Sequence, residues 1–277
     1  MKKIAIFLTA LMMSVNAFSQ AQITTRKEKL SDFATRTMKV VLPGTNFIDP
    51  ILQEALNNTW SLSPFEFCSV DEFNSLKNNE EYYFMLPVKV KYKKEEQPGI
   101  MMLTTVKGKA NAKTVNDMVE VVSMPVCAAD FPSGREAAML PGLVDIMQGY
   151  IAKSLQGNFS GIGSYVTPLS KSARRKAVIA EEDIAPAADS AFREKIAQKG
   201  IDIESGDVAD SLFLAGDSRT LVSYVITPTE PHKGAVCWKI LIDARTHELF
   251  YYKKHTVTGT ENAGFLKGDL KKIAKTR

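Results

Sequence analysis

Histidine and cysteine are scarce in this chain, which has only three of each among its 277 residues. Catalytic bases and transition-metal sites draw heavily on these two residue types, so few such sites can be assembled. The Gly-x-Ser-x-Gly elbow of many hydrolases and the Gly-Lys-Ser/Thr ending of phosphate loops are also missing. Gly161–Ser164 resembles a phosphate loop only in its glycines, and a plain linker explains it better. The sequence therefore predicts neither a metal nor a cofactor, and it disfavours an enzyme.

Net charge is also small, since 35 basic residues are offset by 31 acidic residues. The formal charge of +4 falls by two if Lys2 and Lys3 are removed with a leader, which gives no argument for nucleic-acid binding. After residue 21, no apolar run approaches the roughly 20 residues that a membrane-spanning helix requires. We predict no transmembrane helix, and the oligomeric state stays open.

The first 21 residues have the three-part layout of a secretory signal peptide. Two lysines follow Met1, Ile4–Val15 is an uncharged and mostly apolar run, and small residues then allow a cut before Gln20 or before Gln22. The apolar run is about a dozen residues long, which is short for a membrane span. No cysteine lies near either cut, so we expect an exported chain without a lipid anchor.

An internal repeat is the most informative feature of the remaining chain. The segment Pro50–Leu76 aligns without a gap on Pro186–Leu212. Identical residues recur at these places: Pro50 with Pro186, Ala55 with Ala191, Ser69 with Ser205, Asp71 with Asp207, and Ser75-Leu76 with Ser211-Leu212. We predict a first unit over residues 38–157 and a second over 176–277, joined by a linker over 158–175. A flexible lead over 22–37 precedes the first unit.

Both units show the same predicted order of elements, β-α-β-α-β-β-β-α. In the first unit, Asp49 caps the first helix and Asp71 caps a short second one, and Asp207 takes the role of Asp71 in the second unit. Ser133 and Glu136 have the spacing of a capping box at the start of the closing helix. Alternating strands and helices followed by a meander predict the α/β class (α+β mixed), with a mixed sheet covered by helices in each unit.

The three cysteines form an odd set for an exported chain. One disulfide with one free thiol is an open alternative, and so is the absence of any disulfide. Cys68 and Cys237 lie in strand-like runs, where a cysteine usually packs as a small apolar residue. If a bond forms, we expect it between Cys68 and Cys127.

Aromatic residues cluster in two predicted strands, 81–92 and 248–253. Alternate residues of a strand face opposite sides, so Tyr83 and Tyr251 lie opposite the aromatic faces that core packing explains. His247 and His255 are eight residues apart, and an unbroken strand would place both on the side of Tyr251. We predict a ligand or partner surface of Tyr83, Tyr251, His247 and His255, while polar strand ends explain the histidines equally well.

The segment Lys39–Val90, with Lys176–Ile226 as its second copy, resembles a known small α/β domain in its order of elements. That domain occurs at the N-terminus of the translocation protein TolB and in curli-secretion lipoproteins. The leader ending Ala-Phe-Ser-Gln resembles those of Bacteroidota. Residues 226–234 and 246–255 are similar to a family of exported two-repeat proteins from these bacteria. The resemblance implies an envelope protein, in the periplasm or at the cell surface of a Gram-negative bacterium, and it transfers no catalytic residues.

Two short sequences, Asp189-Ser190-Ala191 and Asp210-Ser211-Leu212, resemble the acceptors of O-linked glycans in Bacteroidota. They predict O-linked glycosylation of Ser190 and Ser211, although ordinary helix positions explain both serines as well.

Taken with the absence of a catalytic motif, these features predict a non-enzymatic envelope protein that binds another protein or a surface component. The alternative is a hydrolase-type enzyme, or a small-ligand sensor, with its site in the groove between the two units. Clefts of that kind are common places for ligands.

Overall fold

The computed structural model describes residues 14–16, 30–157, 161–172 and 174–277. Both predicted cleavage sites, the first part of the predicted lead and a few linker residues lie outside these ranges. The described residues form two mixed β-sheets covered by helices, which confirms the predicted α/β class and its two units. No helix of the described residues is long and apolar enough to cross a membrane.

The first sheet has the strand order β3-β2-β4-β5-β6. Strand β2 runs parallel to β3 and β4, whereas β4, β5 and β6 form an antiparallel meander. A short strand, β1, pairs in parallel with the far end of β4. These strands are β1 (Ser14–Asn16), β2 (Met38–Val41), β3 (Phe65–Cys68), β4 (Tyr83–Lys91), β5 (Ile100–Lys107) and β6 (Val119–Ala128).

The second sheet repeats this order and these directions as β8-β7-β9-β10-β11. Each strand of β7 to β11 therefore corresponds to one strand of β2 to β6. The strands are β7 (Lys176–Ala180), β8 (Ile201–Glu204), β9 (Thr220–Ile226), β10 (Val236–Asp243) and β11 (Leu249–Thr256).

Six α-helices connect or follow these strands in the described residues. In each unit, two helices make the crossovers between the parallel strands and a third follows the last strand. They are α1 (Asp49–Thr59), α2 (Val70–Leu76) and α3 (Glu136–Ser154) in the first unit, and α4 (Ser190–Ala197), α5 (Gly206–Leu214) and α6 (Lys267–Ala274) in the second.

The helix caps agree with the repeat in part. Ser69 and Ser205 cap α2 and α5, where each hydroxyl accepts a hydrogen bond from the backbone N–H three residues later. The prediction that Asp71 and Asp207 are the caps is wrong, because each lies two residues after the capping serine, in the first turn of its helix. A carboxylate at that position still interacts favourably with the positive end of the helix dipole. Pro186 departs from the alignment, because it lies in a turn before α4 begins, whereas Pro50 lies inside the first turn of α1.

Helix α3 joins the two units. It packs on α1 and β6 of the first unit and on α5 of the second, and one apolar core contains residues of both sheets. The approach of α5 is close at Gly142, where a β-carbon would come within 2.5 Å of the Phe213 ring. A second apolar cluster covers the other face of the second sheet.

The predicted flexible lead differs from the structure at its end. Leu30 and Phe33 are fully buried, and the Phe33 ring packs edge-on against Tyr83 with centroids 4.5 Å apart. Asp32 accepts a hydrogen bond from the Tyr83 hydroxyl at 2.7 Å. Leu30 and Phe33 therefore anchor the segment 30–37 in the core of the first unit.

Candidate functional site

A groove lies where corresponding hairpin turns of the two units meet. One wall is the β4–β5 turn, residues 92–99, and the opposite wall is the β9–β10 turn, residues 227–235. The walls approach each other closely at two glycines: a β-carbon on Gly99 would lie 2.5 Å from the Pro228 side chain, and one on Gly234 would lie 2.9 Å from the Lys94 side chain. The loop after β6 supplies the third wall with Asp130 and Phe131.

Hydrogen bonds fix these walls to one another. Glu95 is buried, and its carboxylate accepts from the backbone N–H of Tyr92 at 2.8 Å and of Val236 at 3.3 Å. The first of these bonds closes the turn on itself, and the second ties it to the other unit. The Thr229 hydroxyl donates to the main-chain oxygen of Phe131 at 2.8 Å, so the third wall is also held.

The groove has a volume of about 650 Å³ and combines an aromatic ring with charges of both signs. Phe131 is 74% exposed, the highest exposure of any large apolar side chain in the described residues. Five charged residues line the groove, and four of them, Lys94, Glu96, Glu230 and Lys233, form no salt bridge within the described part of the chain. The fifth, Asp130, pairs with Lys89. His232 completes this rim, with its Nδ1 atom 3.3 Å from the main-chain oxygen of Glu230.

An aromatic cluster behind the first wall links Tyr92 to the second sheet. The Trp238 indole N–H donates to the Tyr92 hydroxyl at 3.1 Å, and Tyr252 packs on the indole ring. The Lys254 ammonium lies 5.2 Å from the Trp238 ring centre and 5.4 Å from that of Tyr92, within cation–π range. Burial raises the pKa of Tyr92 to about 12, so its hydroxyl stays protonated and can donate or accept.

Beyond the third wall, Arg135 carries a buried charge from the first unit into the second. Its guanidinium lies 3.0 Å from Asp183 and 2.9 Å from Asp210, and it donates to the main-chain oxygen of Ser223 at 3.1 Å. Asp183 also accepts from the Ser223 hydroxyl at 2.5 Å and from the Val225 N–H at 3.1 Å. The pKa values of Asp183 and Asp210 are raised by burial, which outweighs the opposing effect of Arg135.

The structure places the predicted tyrosines in the core. Tyr83 is fully buried and Tyr251 is 3% exposed, so neither ring contributes to a surface. The Tyr251 hydroxyl donates to Asp269 at 2.5 Å, and Lys239 forms an ion pair with the same carboxylate. Burial and the hydrogen bond to Asp269 both raise the pKa of Tyr251. Helices and the N-terminal segment cover the faces that strand alternation alone had left open.

The two predicted histidines do not form one site, because they lie at opposite ends of β11. His247 has φ +53° in the β10–β11 turn, and its Nδ1 atom lies 3.0 Å from Asp145 on α3. The contact with Asp145 ties the turn to the first unit, and the His247 ring stacks on Phe213 of its own unit. His255 Nε2 lies 2.8 Å from the main-chain oxygen of Asn262, and burial lowers the pKa of the imidazole. Within the described residues, no group of His, Cys, Asp or Glu side chains could hold a metal ion.

Ser190 and Ser211 are both exposed, the first at the start of α4 and the second within α5. The Ser211 hydroxyl donates to the main-chain oxygen of Asp207 at 2.7 Å. Glycosylation of these serines stays a prediction.

All three cysteines are buried free thiols. Cys68 lies in β3 and Cys127 in β6, at opposite edges of the first sheet, so four strand spacings place them about 19 Å apart. A disulfide needs its α-carbons within roughly 7 Å, and the expected Cys68–Cys127 bond therefore does not fit this fold.

We expect the thiols to react slowly with Ellman's reagent in the folded protein. Burial raises the pKa of Cys68 to about 11 and that of Cys237 to about 12, and it also raises the pKa of Cys127, so thiolate is scarce at neutral pH. In guanidinium chloride without reductant, all three thiols should titrate at once. A lower count in the unfolded chain would reveal a disulfide and contradict this arrangement.

No family model, curated protein or solved structure matches this chain.

The sequence held one signal for the groove. The turns 93–99 and 229–234 combine proline, glycine and charge at corresponding places of the two units, but nothing in the sequence indicated that they touch.

Proposed function

We propose that this chain is a non-catalytic module, exported to the envelope of a Gram-negative bacterium, that binds a partner protein in the groove between its two units. The observation that carries the proposal is the exposed ring of Phe131 in a groove whose walls come from both units. Aromatic anchors in concave sites dominate the binding energy of many protein interfaces. The unpaired charges of both signs around the ring would orient the partner.

The matching sheets support a duplication of one ancestral unit. A duplication explains the shared strand order and the equivalent caps at Ser69 and Ser205. It also explains why the groove forms between two turns of the same kind. Such a boundary can diverge as a binding surface while each sheet keeps its own core.

Replacing Phe131 with serine should weaken partner retention at least about tenfold without unfolding the chain. The reason is that truncating a central aromatic anchor usually costs about 2 kcal/mol or more of binding free energy. The measurement is quantitative mass spectrometry of envelope proteins retained on the immobilised wild-type and variant chains. Leu214→Ser is the matched control, because Leu214 is 66% exposed on α5 and does not line the groove.

Equal retention by both variants would contradict a partner site at Phe131. Retention of a surface glycan instead of a protein would change the class of partner. Turnover in a screen of esterase, phosphatase, peptidase and glycosidase substrates, lost on a single change in the groove, would favour the enzyme alternative.

A further inference from the structure

The outer edge of β4 is covered by β2 along only part of its length. Strand β4 has nine residues, but β2 pairs only with the first three, from Tyr83 opposite Met38 to Met85 opposite Val40. On its other side, β4 is paired with β5 as far as Val90. The second half of β4 therefore has one paired side and one side beyond the reach of β2.

The hydrogen bonds show which main-chain groups face that outer side. The Tyr83 N–H donates to Thr37 next to β2, whereas Tyr82 accepts from Gly108 beyond β5. Because backbone groups alternate along a strand, the odd-numbered residues of β4 face outward. Pro87 fits this alternation: proline has no N–H, and at this odd-numbered position no N–H is needed for a hydrogen bond to β5. Lys89 and Lys91 present their N–H and C=O groups to the same outer side.

The chain that leaves β2 does not close this edge. The Leu42 N–H donates to Cys68 on the β3 side at 3.0 Å, and the Gly44 N–H donates to Asp49 at 2.7 Å. Both bonds draw the chain away from β4.

In the second sheet, the corresponding edge is sealed by side chains. Tyr83 is the first residue of β4 that pairs with β5, and Leu221 is the first residue of β9 that pairs with β10. Counted from these two residues, Ser223 corresponds to Met85 and Val225 corresponds to Pro87. The Ser223 oxygen accepts from Arg135 and the Val225 N–H donates to Asp183. The first sheet has no such seal among the described residues.

A strand does occupy the open edge, and it comes from the predicted leader. Ser14, Val15 and Asn16 pair in parallel with Lys89, Val90 and Lys91. Export would remove these three residues with the signal peptide and would leave the edge unpaired.

We propose that, in the processed chain, this edge of β4 takes up an extended segment of the partner protein as a parallel β-strand. This inference rests on the proposed function and adds the main-chain part of the same site. Lys89 donates to Asp130 at 3.1 Å, and Asp130 lines the groove, so the edge leads directly to Phe131. Lys91, Lys93 and Lys94 form no salt bridge within the described residues, which favours an acidic segment. Recognition by strand addition gains affinity from main-chain hydrogen bonds.

The probe is a fluorescent peptide that copies residues 12–18, titrated by anisotropy into the processed chain recovered from the periplasm of expressing cells. We expect saturable binding of the peptide to the processed chain. The full-length precursor should bind the peptide with at least about tenfold lower affinity, because its own residues 14–16 already occupy the edge. N-methylation at Val15 should abolish binding, whereas N-methylation at Asn16 should leave it within about twofold. The reason is the register: Val15 is paired with Val90, and the main-chain N–H and C=O of Val90 face β5. In a parallel pair, the main-chain groups of Val15 then bond to the neighbours of Val90, Lys89 and Lys91, whereas those of Asn16 point away from β4.

Two protein variants test the same edge from the other side. Lys91→Pro removes an outward N–H that β5 does not use, and Lys91→Ala keeps it. We expect loss of peptide binding only in Lys91→Pro, with unchanged circular dichroism in both.

A peptide flanked by two glutamates should bind at least about threefold more tightly at low salt than one flanked by two lysines.

Absence of peptide binding, or an equal effect of the two methylations, would overturn the proposal. If Lys91→Pro fails to fold, the two N-methylated peptides still test strand addition, because they are titrated into the unmodified processed chain. If envelope partners are lost in Phe131→Ser but not in Lys91→Pro, strand addition is refuted while the groove remains the partner site.

Discussion

Replacing Arg135 with alanine should destabilise the protein by about 3–5 kcal/mol, the usual cost of removing one partner from a buried ion pair. Arg135 is only 8% exposed, and both of its carboxylate partners belong to the other unit. Without the guanidinium, Asp183 keeps its burial and loses its nearest positive charge. Urea unfolding followed by circular dichroism measures the loss as a shift of the unfolding midpoint to lower urea concentration. The two units should still unfold in a single transition, because they share one apolar core.

The loss should depend on pH in a defined direction. Burial already raises the pKa of Asp183, and removal of Arg135 removes the main opposing influence, so this pKa rises further. A carboxyl group whose pKa is higher in the folded state binds protons on folding, and its penalty disappears as pH falls. The destabilisation of Arg135→Ala should therefore be smaller at about pH 5 than at about pH 8.

Lys267→Ala is the control, because Lys267 pairs with Asp189 at an exposed position and such pairs contribute little. If Arg135→Ala lost no more stability than this control, or lost more at the lower pH, the cluster would not hold the two units together.

Phe33→Ala should also cost about 3–5 kcal/mol of unfolding free energy, the range for a phenylalanine removed from a packed core. The Phe33 side chain has no exposed surface, and it contacts Tyr83 and Trp60. The matched control is Phe131→Ala, which removes an equal side chain from an exposed position and should change stability by less than about 0.5 kcal/mol. Equal losses in the two variants would mean that residues 30–37 are not part of the folded core.

Periodicity predicted the sheets well because it reports a local property. The predicted strands at 220–226 and 235–243 match β9 (Thr220–Ile226) and β10 (Val236–Asp243) almost residue for residue. The closing helix of the first unit begins at Glu136, two residues later than a cap at Ser133 would place it. Only half of the predicted capping box forms: Glu136 accepts from the Ser133 N–H, but the Ser133 hydroxyl donates to Glu136 and accepts nothing from its N–H.

The site needed information that local pattern does not contain. Alternation assigned Tyr83 and Tyr251 to free faces, but whether a face is free depends on distant segments, Phe33 for the first and Phe265 for the second. Phe131 had no periodic signal, because it lies in a loop. The pairing of Arg135 with Asp183 and Asp210 joins residues far apart in the chain, and only the packing of α3 against the second unit brings them together.

A photo-crosslinking amino acid placed at position 131 would capture a partner protein bound in the groove, and the same group at position 214 is the reference. After irradiation of intact cells, we expect one defined protein adduct from position 131 and none of the same mass from position 214. The absence of a protein adduct at position 131, or the same adducts from both positions, would contradict a partner site in the groove.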